Sequence, residues 1–250
     1  RRRRNSKSSC ATIVSGMSEL TRRVRVPDLK SMKERGEKIA MLTAYDATMA
    51  RIFERAGIEI LLVGDSLGNV IMGEETTIPV TLEIMIHHTR SVANGAPKAV
   101  VVADMPFMSY ATPSQALDNA VRLMQEGGAM MVKLEGGAGQ VEIVAYLASH
   151  DIPVCAHLGL KPQSVHKIGG LKVQGREGAA AEQMRADARA LEAAGLDQLA
   201  GLVVTARAVN RAVILRDVEI DGPGPERIGD RAKGRVECRL IVKLLRRDQL

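Results

Sequence analysis

From Ile39 onward the chain alternates between short apolar runs and segments whose apolar residues recur every three or four positions. The runs are IAMLTAYD (39–46), EILLVGDS (59–66), KAVVVADM (98–105), AMMVKLEGG (129–137) and IPVCAHLGL (152–160). Apolar residues in succession, without alternation, suit strands covered on both faces, as in a parallel sheet. Between the runs, Leu82, Met85, Ile86 and Thr89 fall at helical spacing, as do Ala116, Leu117, Ala120, Val121 and Met124. The second of these helices has marked ends. Thr112 is its cap, Pro113 suits the first helical position, and Gln115 completes a T-x-x-Q capping box. Gly127 and Gly128 supply the stop. A further helix is expected over 179–194, ending at Gly195. Alternating β and α units predict right-handed crossovers, in a barrel or a doubly wound sheet. Neither a G-x-G-x-x-G nor a Walker A sequence follows any run, which removes the main support for a dinucleotide or P-loop site and favours the barrel.

Composition and charge refine this. The 250 residues, 46% hydrophobic and 26% charged, suit one large α/β domain. No apolar stretch approaches the ~18 residues of a membrane span, so no membrane contact is expected and the setting is read as cytoplasmic. With no Trp, two Phe and three Tyr, the core must be filled by Val, Ile, Leu, Met and Ala. The net charge of +6 is uneven: residues 1–30 carry +7, residues 201–250 carry +4 and the body carries −5. The basicity belongs to the ends, and no recognition motif or aromatic platform accompanies it, so specific nucleic-acid binding is not expected. Cys10, Cys155 and Cys238 are far apart, which fits a reducing compartment and excludes a zinc ribbon or a disulfide framework. The first residues have no apolar core, so they do not read as a secretory signal. Residues 1–25 read as a basic, disordered extension, with MSELTRRVRVPDL from Met17 as the natural start.

Parallel β/α folds carry their chemistry at the carboxyl ends of strands. Those ends hold Asp46, Asp65, Asp104, Glu135 and His157. A single acid there reads as the N-cap of the next helix. Several together repel one another, and a bound cation is their natural partner, with Mg²⁺ favoured by hard oxygen ligands. Lys133 lies two residues before Glu135, so in a strand both side chains point the same way. It suits a substrate anion, or a neighbouring acid. His87 and His88 project about 100° apart on a helix and read as ordinary helix residues, and His150 as a helix C-terminal residue. Met130 and Met131 read as core or strand-edge residues.

The segments VGDSLG (63–68), TIPVT (77–81), ADMPFMSYATP (103–113), MVKLEGG (131–137), HLGLKPQS (157–164) and GGLKVQGR (169–176) together resemble the ketopantoate hydroxymethyltransferase family over residues 26–195. The resemblance implies a (β/α)8 enzyme of TIM-barrel type, assembled as a homo-oligomer, a decamer built of pentameric rings. It implies transfer of a one-carbon unit from 5,10-methylenetetrahydrofolate to 3-methyl-2-oxobutanoate through a Mg²⁺-stabilised enolate. It also implies that Asp65, Asp104 and Glu135 bind the metal and that Asp65, Ser66, Asp104 and Lys133 contact the keto acid. His157 matches a histidine lining the same pocket.

After Gly195 the similarity ends. The family continues with a sixth strand ending in a glutamate that serves as general base; counting on places it near Leu202. Residues 196–250 read instead as a divergent basic tail with nine arginines. An altered reading frame, a remodelled family variant and a grafted domain each explain the change, and the last strands of the barrel are in doubt. Three functional readings follow: a working hydroxymethyltransferase, an impaired member retaining only metal and keto-acid binding, and a barrel lyase like phosphoenolpyruvate mutase or isocitrate lyase.

Overall fold

The computed structural model describes residues 20–172, 174–175, 178–196, 202–206 and 213–214. In chain order these form α1 (Val26–Glu34), β1 (Ala40–Thr43), α2 (Ala47–Arg55), β2 (Ile60–Val63), α3 (Leu67–Val70), α4 (Leu82–Gly95), β3 (Val100–Asp104), α5 (Pro113–Gln125), β4 (Met131–Glu135), α6 (Val141–Ala148), β5 (Val154–Gly159), α7 (Val165–Ile168), α8 (Gly178–Leu191), β6 (Leu202–Ala206) and β7 (Val213–Ile214). Each apolar run contains a strand, and β1 to β6 pair in parallel, neighbour with neighbour. The helices at apolar spacing are α4, which buries Leu82, Met85, Ile86 and Thr89, and α5. Thr112 caps α5, accepting from the Gln115 N–H, while the Gln115 side chain accepts from Ala111 N–H, one residue before the cap. Among the described residues no helix is long and apolar enough to cross a membrane.

Side-chain parity divides the sheet into two faces. Leu61, Val63, Val101, Ala103, Val132, Leu134 and Ala156 pack with Met85, Leu123, Val144, Leu147 and Leu191, which makes the sheet–helix layer. Met41, Ile60, Val100, Val102, Met131 and Cys155 form the other face and pack with Val24, Val26 and Leu29. Residues two apart in a strand share a face. That second face therefore continues into Asp104, Lys133, Glu135 and His157: apolar at the amino ends of the strands, charged at the carboxyl ends.

The sheet is curled. Its edges are β6 and β7, and a flat seven-stranded sheet would separate them by about 29 Å. The chain from Ala206 to Val213 reaches at most about 25 Å, so the edges must be drawn toward each other. β7 runs antiparallel to β1, with Met41 opposite Val213. This departs from the all-parallel expectation for a β/α barrel. A parallel return needs a crossover of a dozen or more residues, and only six separate β6 from β7.

Two expected boundaries move. The body begins before residue 26: Val24 is buried, its N–H donates to the Lys98 carbonyl, and Lys98 Nζ donates to the Leu20 carbonyl. These contacts lie at the amino end of β3, where burial of Val24 fixes a segment whose composition alone reads as disordered. The body also continues past residue 195, because β6 adds a sixth parallel strand. The expected extension through residue 19, and residues 197–201, 207–212 and 215–250 of the expected tail, lie outside the described residues.

Helix α4 crosses α2 at Gly95, where an added Cβ would lie 2.6 Å from Ala47 Cα. Gly95→Val is expected to destabilise the protein by about 1–3 kcal/mol through overpacking, read as a lower urea midpoint with an unchanged slope.

Candidate metal and keto-acid site

The strand-end acids divide into two kinds. Asp46 is a helix cap, its carboxylate accepting from the N–H groups of Thr48 and Met49 at 2.7 and 2.8 Å. Asp65, Asp104 and Glu135 cap nothing and are each at most 6% exposed. The register of β3, β4 and β5 brings their neighbours together: Asp104 lies beside Lys133, and Glu135 beside His157.

Lys133 Nζ and Asp104 Oδ1 form a buried ion pair. The other Asp104 oxygen accepts from the Asp65 N–H at 3.0 Å. The preceding Gly64 leaves room for the Ser66 hydroxyl, since a Cβ there would fall 2.7 Å from Ser66 Oγ. Glu135 Oε1 lies 3.1 Å from His157 Nδ1, and Glu135 Oε2 accepts from the Gln163 N–H at 3.1 Å. With Nδ1 engaged, His157 Nε2 is buried without a hydrogen-bond partner among the described residues. Ser66 sits at the start of α3, its hydroxyl 2.9 Å from that of Tyr45.

Electrostatics follow from this crowding. Burial, then the Asp104 and Glu135 carboxylates, push Asp65 up to about 7. Burial alone would weaken the hold of Lys133 on its proton, but Asp104, Glu135 and Asp65 reverse that and keep it above the usual lysine range. Burial acts against ionised Glu135 as well, and is outweighed by the His157 hydrogen bond and by Lys133, so Glu135 stays below the usual carboxylate range. Three carboxylates thus face one ammonium, and Asp65 relieves the excess of negative charge by holding its proton more tightly than an ordinary carboxyl group.

Among the described residues, no three carboxylate, imidazole or thiol groups stand close enough to hold a metal ion as placed. The expected trio is joined through Lys133, His157 and Gln163 instead. The donor chemistry nonetheless fits a hard divalent cation: the oxygens are carboxylate oxygens, and the group carries negative charge that its own lysine does not balance.

Other sequence candidates fall elsewhere. His88 Nδ1 is 2.7 Å from the Tyr45 carbonyl and His87 is exposed. His150 Nδ1 is 2.8 Å from the Tyr146 carbonyl at the end of α6. Leu202, where the glutamate was expected, pairs with Cys155 at the start of β6, and Val204 pairs with His157. No residue from Leu202 to Ala206 carries a carboxyl group. Sequence reasoning missed Gln163, Tyr110 and Tyr45. The first two lie inside HLGLKPQS and ADMPFMSYATP, but a neutral amide and a phenol carry no charge signal that singles them out.

Comparison with known proteins shows the family of the chain. A family model for ketopantoate hydroxymethyltransferase matches residues 23–219. The 3-methyl-2-oxobutanoate hydroxymethyltransferase of Alkalilimnicola ehrlichii is 61% identical over 180 residues, covering 72% of this chain and 65% of that one. The enzyme of the same name from Ralstonia nicotianae is 49% identical over 216 residues, covering 85% and 78%. The chain thus spans less than two thirds of the length of the first of these relatives. In fold it resembles 2,3-dimethylmalate lyase, a member of the PEP mutase/isocitrate lyase superfamily (TM-score 0.52, 19% identity, 73% of this chain and 62% of that one). It also resembles phosphonopyruvate hydrolase (TM-score 0.54, 12% identity, 73% and 70%). The two enzymes are too distant in sequence to bear on more than the curled α/β architecture. By its match to the family model and by these relatives, the chain belongs to the ketopantoate hydroxymethyltransferase family.

Proposed function

We propose that this chain binds Mg²⁺ and 3-methyl-2-oxobutanoate at the carboxyl ends of β2 to β5. The site is built for transfer of a hydroxymethyl group from 5,10-methylenetetrahydrofolate to that keto acid, giving 2-dehydropantoate for pantothenate synthesis. The observation that carries the reading is the burial of Asp65, Asp104 and Glu135 around one lysine, in a chain of this family. Asp65, Asp104 and Glu135 would hold the ion. When bound, it supplies Lewis acidity toward the keto oxygen of the substrate. The chain's own groups do the remaining work. Lys133, held charged by its carboxylate neighbours, attracts the substrate carboxylate. Ser66, steadied by the Tyr45 hydroxyl, offers a hydrogen bond beside it. Burial of the surrounding carboxylates and of His157 keeps water from competing for these contacts.

One observation favours a second reading, in which the chain binds cation and keto acid but removes the substrate's C3 proton poorly. The stretch from Leu202 to Ala206 has no carboxyl group to act as the base of the family. With Mg²⁺ in D₂O, C3 exchange at the rate of a family relative supports the full transferase. Exchange slower by about 10²–10⁴-fold, with Mg²⁺-dependent keto-acid binding retained, supports the second. If the change after Gly195 is one of reading frame, the coding DNA beyond that codon will encode a strand ending in Glu in another frame.

The charge surplus also sets a pH dependence. In the metal-free protein Asp65 is raised from its ordinary value of 3.8 to about 7. The folded state therefore holds this proton more tightly than the unfolded chain. The resulting stability is fully present below about pH 4 and is lost as pH rises through about 7. The difference in melting temperature between Asp65→Asn and the wild type is expected to grow in favour of Asp65→Asn across that window. Mg²⁺ is expected to narrow the difference at pH 8 by stabilising the wild type alone. A difference that is flat with pH would remove the charge argument.

A further inference from the structure

The four hydrogen bonds of Gln163 are not accounted for by the reaction above. The residue lies in the 3-10 turn Pro162–Ser164 after β5 and is 7% exposed. Its Nε2 donates to Asp65 Oδ2 at 2.8 Å and to the Met105 carbonyl at 2.9 Å. Its backbone N–H donates to Glu135 Oε2 at 3.1 Å. Its Oε1 accepts from the Tyr110 hydroxyl at 2.5 Å.

The orientation of the amide is forced. Asp65 and Met105 both present acceptors, so the NH₂ group must face them and Oε1 must face Tyr110. Tyr110 is then the donor, a role suited to a phenol that burial holds far above its usual pKa. The same hydroxyl accepts from the Glu135 N–H at 3.3 Å. One side chain and one phenol thus fasten the segments after β2, β3 and β5 to the end of β4.

The arrangement also sorts the carboxylate oxygens. Both oxygens of Glu135 are engaged, by His157 and by Gln163. Of the two Asp65 oxygens, Oδ2 is taken by Gln163, whereas Oδ1 has no hydrogen bond among the described residues. We propose that Gln163 is the positioning residue of the site: it locks Asp65 and Glu135 together and presents Asp65 Oδ1 to the incoming cation, with Tyr110 fixing its amide. This rests on the cation and keto-acid reading above. Gln163 touches carboxylates rather than substrate, so it acts through them.

Mn²⁺, counted free or bound by its electron paramagnetic resonance signal, tests this without turnover. Wild type, Asp65→Asn, Gln163→Leu and Tyr110→Phe are titrated without keto acid. Gln163→Leu is expected to weaken Mn²⁺ binding by about 10–100-fold, the usual range for a residue that orients a ligand. Tyr110→Phe should weaken it in the same direction by a smaller factor. At saturation the bound Mn²⁺ line shape should differ from wild type in both variants, because Asp65 is no longer held in one orientation. A role confined to stability would lower the melting temperature and leave that line shape unchanged. Should Gln163→Leu fail to fold, Tyr110→Phe, which keeps the ring and its packing, decides the matter. Wild-type affinity and line shape in Tyr110→Phe and in any folded Gln163→Leu overturn the role of Gln163 alone, provided that Asp65→Asn has lost the ion. Wild-type affinity in Asp65→Asn, or no binding to wild type, overturns the site reading and this inference with it.

Discussion

A lysine buried inside a sheet cannot remain charged without a carboxylate beside it, and the pairing of Lys133 with Asp104 answers that need. The two are direct neighbours across β3 and β4, so the register of the sheet sets the contact. Because the same face carries Val100 and Val102 below Asp104, and Met131 below Lys133, the charged layer is confined to the carboxyl ends of the strands. Glu135 and His157 form the next layer, again as register neighbours. The parity of β3, β4 and β5 thus decides which residues form the site, and the loops supply only Asp65, Ser66 and the groups that hold them. A buried ion pair of this kind is weak evidence for stability, since desolvation opposes it. Here it sets a charged layer over an apolar one.

Much of this was legible in the sequence because it depends on short-range rules. Unbroken apolar runs identified β1 to β5, and the spacing of Lys133 and Glu135 placed both on one side of a strand. Thr112 marked the start of α5 through a local capping bond. The separation of Asp46 from the other acids was not legible. A carboxylate after a strand looks the same in sequence whether it turns back to cap a helix or points across the sheet. The deciding fact for Asp104 is a lysine 29 residues later in the chain, brought alongside by pairing.

Gln163 and Tyr110 escaped notice for a related reason. Neither carries charge at neutral pH, and their importance comes from the number of bonds each makes to distant residues. The N-terminal boundary was misjudged through composition. The arginines around Val24 suggest a solvated arm, yet Val24 itself is buried and Arg22 pairs with Asp28 outside the core. At the other end, β6 spans Leu202–Ala206, and the family model matches through residue 219, so the family likeness reaches past Gly195, where the motifs read from the sequence stop. A parallel sheet can accept such a segment through backbone bonding alone, but a catalytic carboxyl group depends on side-chain identity.

Cys155 sits on the same face, in register with Lys133 and with Leu202, and is completely buried. Burial pushes its thiol up to about 12, so at neutral pH it is neither a nucleophile nor a ready target for oxidants. Its inertness depends on strands β4 and β6 staying closed on either side of it. The residue works as an internal tell-tale: alkylation at Cys155 would register an opening of the sheet around it.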